Sequence, residues 1–167
     1  MDITSDDKPK HWYVVYTKPR AEKKVATQLN EMGIECYCPV RREVRQWSDR
    51  KKKIDVPVLP SMVLVSLPVS KRRRIFECPN TVRYLFWDGK PAIVSQQEVD
   101  ALKESLQQGK VLSSEVKHLR PGQRISMEEF GFEEEEGEIK YISGNHCWVI
   151  MKSMGFVVKL RLESKQA

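Results

Sequence analysis

No stretch of about 18 uncharged apolar residues occurs in this chain, 31% of which is charged, so a membrane-spanning helix is excluded. The opening residues, MDITSDDKPKHWYVV, place no basic segment ahead of an apolar one, which argues against an export signal. Cysteines are few. None of Cys36, Cys38, Cys78 and Cys147 falls in a C-x-x-C pair, so a zinc site built from them with His11, His118 or His146 lacks the usual paired spacing. Reduced thiols in a cytoplasmic protein are the expectation. There is no P-loop and no G-x-S-x-G, the histidines are isolated, and the glutamates 133–136 sit between glycines without ligand spacing. The reading is therefore a protein that is not an enzyme, with no metal and no cofactor.

What the chain does have is an unevenly placed positive charge. Residues 1–108 carry 20 Lys+Arg against 14 Asp+Glu, whereas residues 109–167 carry 9 of each, so the net charge of +6 belongs to the first part. A surface that attracts an anionic partner is expected there.

The longest apolar run, VPVLPSMVLV at 56–65, reads as a central strand that begins in earnest after Pro60, because Pro57 and Pro60 cannot donate to a ladder. From Met62 to Leu67 both faces are apolar, which predicts cover on both. The chain offers few helices, so one face is left for a partner. HWYVVYT at 11–17 is a first strand on its aromatic and β-branched content. Pro19 and Gly33 bracket a helix with Ala21, Val25, Leu29 and Met32 on its inner side and Arg20, Lys23 and Lys24 elsewhere. Residues 35–47 form a second strand broken at Pro39, and DRKKK at 49–53 is an exposed turn, which gives a long hairpin with a basic tip. Ser70 caps a short helix ending at Pro79. TVRYLFW at 81–87 is a further strand, and Ser95-Gln96-Gln97-Glu98 is a capping box for a third helix stopped by Gly109. Residues 110–119 show no strong period and read as a linker. Beyond them, four short strands at 124–127, 137–142, 147–151 and 155–162, separated by turn residues, indicate a small antiparallel barrel.

Over nearly its whole length the chain resembles the NusG family of transcription elongation factors. Trp12-Tyr13-Val14-Val15 is followed by a basic helix, and Val58-Leu59-Pro60-Ser61-Met62-Val63-Leu64-Val65 stands where the family has its F-P-G/N-Y-hydrophobic strand. Lys90-Pro91-Ala92-Ile93 precedes the third helix. Pro121-Gly122-Gln123-Arg124-Ile125 and Gly137-Glu138-Ile139 match P-G-D-x-V and G-x-V elements of a KOW barrel. Two departures, Ser61-Met62 for a small residue plus tyrosine and Glu134 for a second KOW glycine, suggest a specialised paralog of the RfaH or capsule-cluster antiterminator type.

The resemblance implies an α+β fold: a NusG-type N-terminal domain with an antiparallel sheet and about three helices at 11–109, then a linker at 110–119. An all-β KOW-like barrel would follow at 120–163, with a mobile start at 1–10 and a tail at 164–167. It implies a monomeric transcription elongation and antitermination factor that promotes processive elongation of particular operons. The clamp helices of the largest RNA polymerase subunit would bind Tyr16, Leu59, Met62, Leu64 and Trp87. Upstream or non-template DNA, and nascent RNA, would meet Lys18, Arg20, Lys23, Lys24, Arg72, Arg73, Arg74 and Arg83. The barrel would bind a ribosomal or regulatory protein. The alternative is a KOW-type RNA-binding or ribosome-associated protein.

Overall fold

The computed structural model describes residues 8–87, 89–107, 111–118, 140–143, 146–151 and 156–162. Strands β1 (Lys10–Thr17) and β5 (Met62–Pro68) lie antiparallel at the centre of a sheet, with Tyr13 opposite Val65 and Tyr16 opposite Met62. β2 (Glu35–Tyr37) flanks β5, while β6 (Thr81–Tyr84) and β9 (Ile93–Val94) flank β1. Every residue of β5 is buried, as its two-sided apolar pattern requires. Successive side chains alternate between faces. Tyr13, Val15, Val63 and Val65 go to one side, under Val25 and Leu29 of helix α1 (Glu22–Glu31), whereas Trp12, Val14, Met62 and Leu64 go to the other, with helix α2 (Gln96–Gln107).

α1 starts later than Pro19 suggests. The Ala21 N–H donates to the Lys18 carbonyl (3.1 Å) and Arg20 has φ 65°, so Pro19 and Arg20 are the corners of a type II turn that precedes the helix. At the other end Gly33, at φ 83°, closes a Schellman motif in which the Ile34 N–H reaches the Leu29 carbonyl (2.9 Å) and the Gly33 N–H reaches Asn30 (3.0 Å). Ser95 caps α2 as expected, its Oγ accepting from the Glu98 N–H at 3.1 Å. The Trp12 indole N–H donates to the Gln96 Oε1 (2.8 Å), which ties the first strand to α2.

Several elements differ from the sequence reading. Pro39 does break the second strand, into β2 and β3 (Val40–Gln46), but β4 (Lys51–Pro57) begins at Lys51, so the three lysines belong to the ladder and the turn is Ser48-Asp49. The outer half of the ribbon, where the lysines lie, is exposed on both faces and accepts charges that a packed sheet would reject. The short helix is a 3-10 helix, Val69–Glu77, entered from Pro68 without a side-chain cap, so Ser70 does not cap it. The strand 81–87 is interrupted at Leu85, whose N–H turns to the Val14 carbonyl (2.9 Å). Phe86–Trp87 then forms β7, paired with β8 (Lys90–Pro91).

Residues 110–119, read as a linker without period, hold strand β10 (Val111–His118), which pairs with β13 (Phe156–Leu162). With β11 (Lys140–Ser143) and β12 (His146–Met151) they make a four-stranded antiparallel sheet in the order β10-β13-β12-β11. The strand expected at 124–127 and the glutamates 133–136 lie outside the described residues.

Candidate interaction faces

Tyr16, Leu59, Met62 and Leu64 are brought to one side of the first sheet, where Leu59, Met62 and Leu64 are buried and Tyr16 packs at the margin. The expectation that the chain leaves this side bare is overturned. Val99 and Leu102 of α2 cover part of it, and Val111, Val149, Val158 and Leu160 of the second sheet join the same packed cluster. Register explains how three strands, β10, β13 and β12, supply one apolar face: Val149 and Val116 both stand opposite Val158, and Leu162 stands opposite Val111, so all project to the side that carries Leu160. Counting helices alone missed this cover. Trp87 is half-buried on the β7–β8 hairpin, two residues on from Leu85, which packs against the cluster; Trp87 itself is not among the packed residues.

The loop that delivers Leu59 and Met62 is a second type II turn. Pro60 precedes Ser61 at φ 59°, and the Met62 N–H returns to the Leu59 carbonyl at 3.3 Å. A third Pro-plus-left-handed pair, Pro79 with Asn80 at φ 75°, lies beside it. All three meet at the end of β1: the Thr17 N–H donates to Ser61 (2.8 Å) and the Lys18 N–H to Asn80 (3.0 Å). The buried Glu22 carboxylate fastens two of them, its Oε1 accepting from the Ser61 N–H (3.0 Å) and the Arg20 N–H (3.2 Å). The recurrent X-Pro-X signal in the sequence marks these turns and went unread.

The eight basic residues do not form one patch. Lys18 and Arg20 are exposed on the first of these turns, and Arg83 is exposed on β6 opposite Tyr16, its guanidinium 5.2 Å from the ring centroid. Lys24 is exposed on α1. Lys23 is spent on structure: its Nζ donates to the Asp55 carbonyl at 2.8 Å and so holds the base of the β3–β4 ribbon to α1. Arg72, Arg73 and Arg74 occupy a 3-10 helix, in which consecutive side chains diverge by roughly 120° at about three residues per turn. Arg72 lies 5.8 Å from the Tyr13 ring centroid, and Arg74 donates to the carbonyl of Met32 at the end of α1 (3.2 Å) and faces Glu77 at 4.0 Å. Arg73 is exposed.

The thiols are quiet. Burial raises the Cys36 and Cys78 thiols, and burial followed by the nearby Glu22 carboxylate pushes Cys38 up to about 11, with Lys23 opposing. All three are free, and among the described residues no group of His, Cys, Asp and Glu is arranged to hold a metal ion. No helix among them is long and apolar enough to cross a membrane.

The sequence also places the chain among known proteins. The NusG transcription termination factor family matches residues 10–103. The transcription termination/antitermination protein NusG of Pasteurella multocida (strain Pm70) is 22% identical over 152 residues, which cover 84% of this chain and 83% of that protein. A solved structure titled for domain interaction in Thermotoga maritima NusG aligns with a TM-score of 0.46 at 18% identity, covering 92% of this chain and 93% of the other. The family match spans more than half of the chain, and the protein therefore belongs to the NusG family of transcription termination and antitermination factors.

Proposed function

We propose that the protein is a specialised NusG paralog, of the RfaH or capsule-cluster type, that promotes elongation on particular operons. It binds the clamp helices of RNA polymerase through Tyr16, Leu59, Met62 and Leu64, with Trp87 on the adjoining hairpin. Lys18, Arg20, Lys24, Arg73 and Arg83 meet upstream or non-template DNA through its phosphates, where charge density alone gives affinity. The observation that carries the reading is the apolar cluster itself. It is an apolar face on the family domain, and the described conformation fills it with Val149, Val158 and Leu160.

The chain as described is thus closed, and polymerase and the second sheet compete for one surface. Strands β10 to β13 belong to a KOW-like barrel, and once released that barrel takes a ribosomal or regulatory protein. A ligand that needs the open form binds the whole chain more weakly in proportion to the open fraction.

The test is titration of isolated clamp helices into the full chain and into Leu160→Asp. A buried carboxylate in the cluster that also holds Leu64 and Met62 costs several kcal/mol and drives the sheet off, whether or not the sheet stays folded afterwards. Affinity rising at least tenfold supports the reading. Equal affinity, with the first domain shown folded by its thermal transition, sinks it.

A further inference from the structure

The β3–β4 ribbon has no part in the faces described above. Neither strand contains a buried residue, and the ribbon carries Arg41, Arg42, Arg45, Arg50, Lys51, Lys52 and Lys53 against Glu43, Asp49 and Asp55. An isolated two-stranded ribbon adds little stability of its own. At its tip, where the Trp47 N–H closes the turn on the Arg50 carbonyl at 2.8 Å, the Trp47 indole remains 44% exposed. Alternation places Trp47 on the face of Arg45 and Lys52, which stand opposite each other, and the Lys52 ammonium lies 4.8 Å from the ring centroid. Lys51 and Lys53 occupy the reverse face beside Gln46 and Val44. Same-face neighbours along a strand are spaced by roughly 6.8 Å, a repeat that suits the backbone of an extended polynucleotide.

We propose that this tip binds single-stranded nucleic acid, with the Trp47 indole stacked on an unpaired base and Arg45, Arg50 and Lys52, on the same face, against the flanking phosphates. An exposed aromatic ringed by cations is the minimal single-strand platform: stacking needs only a π-face, and the cations follow the backbone. A duplex would use the cations but leave the indole idle, since its bases are already stacked. An acidic protein surface would likewise be met by the charges alone. The site is separate from the apolar face and from the DNA contacts proposed for the end of β1. Its test contains no polymerase, so either idea can fail alone.

The full chain is titrated against fluorescently labelled oligo(U) and oligo(dT) of equal length, and against a duplex of the same length, over a series of salt concentrations. Trp47→Ala is expected to weaken single-strand binding roughly 10- to 100-fold with the salt slope and the duplex affinity unchanged, and Trp47→Phe to restore most of the loss. Replacing Arg45 and Lys52 with Gln is expected to lower the slope of log K against log salt by about 1.4, at ~0.7 per phosphate contact. Preference between oligo(U) and oligo(dT) names nascent RNA or exposed DNA as the source. All these side chains are exposed, so the variants should melt with the wild type. Unchanged single-strand affinity in Trp47→Ala overturns the proposal. So does a loss in Trp47→Ala that is equal for the single strands and the duplex.

Discussion

Arg83 and Tyr16 stand directly opposite each other on β6 and β1, with the guanidinium carbon 5.2 Å from the centroid of the ring. One belongs to the basic surface and the other to the margin of the apolar cluster, so the two proposed faces share a border at this pair. A carboxylate at position 16 would be drawn to the arginine instead of disrupting the face, which makes Tyr16→Ala the cleaner probe. The coupling between Tyr16→Ala and Arg83→Ala in urea unfolding is expected at about 0.5–1 kcal/mol, as for an exposed cation over an aromatic ring. Arg83→Ala should leave clamp-helix affinity within about twofold; a loss as large as that of Tyr16→Ala would mean that the border is not where it is placed here.

The arginines of the 3-10 helix should separate by role. Arg74→Ala removes a charge-assisted hydrogen bond to the last turn of α1 and is expected to cost about 1–2 kcal/mol of stability. Arg73→Ala should cost less than about 0.5 kcal/mol and act on DNA binding alone. Identical stability losses for the two would show that the helix does not direct them apart. A triple substitution cannot serve, because it mixes both effects.

Much of the first domain was legible. β5 could be placed because its residues are apolar on both faces, and Gly33 and Ser95 because helix ends need those residue types for stated reasons. β10 was not legible: Ser113, Ser114, Glu115 and Lys117 give it no apolar alternation, and it is a strand because β13 supplies its partners. The same limit hid the cover over Leu59, Met62 and Leu64. Which surface a second sheet occupies is set by docking between segments some 90 residues apart in sequence, and no local pattern reports it. Leu64 shows the consequence. Read as a surface contact it invites Leu64→Asp as a binding probe, but it is fully buried, and that variant is expected to destabilise the protein by several kcal/mol.

Alkaline pH should expose the buried acids of β2 and the residue after it. Burial, and then Cys38, pushes Tyr37 up to about 12, while burial and then Glu22 push Cys38 to about 11. Both hold their protons in the folded state after the unfolded chain has begun to lose them, from an ordinary value of 9.0 for the thiol. Their contribution is therefore complete below about pH 9 and declines as pH rises towards 11 and 12. The urea midpoint should be level from about pH 7 to 8.5 and fall above that, and Cys38→Ser should reduce the fall. A wild-type slope in Cys38→Ser would assign the alkaline transition to other groups.

The turn at Pro60-Ser61 gives the most direct link from backbone to face. Ser61 sits at φ 59°, where an L-residue pays roughly 1–2 kcal/mol, and its N–H is held by the buried Glu22 carboxylate at 3.0 Å. Glycine removes the steric cost but adds entropy to the unfolded chain, so Ser61→Gly is expected to stabilise by up to about 1 kcal/mol. Ser61→Val, β-branched at a positive φ, should destabilise by more than that. Glu22→Ala leaves two backbone N–H groups without their acceptor and is expected to cost about 2–4 kcal/mol, whereas Glu22→Gln keeps an oxygen there and should cost less. Because the turn positions Leu59 and Met62, Glu22→Ala should also weaken clamp-helix binding in an opened Leu160→Asp background. Full affinity there, in a folded protein, would show that the face does not depend on the turn.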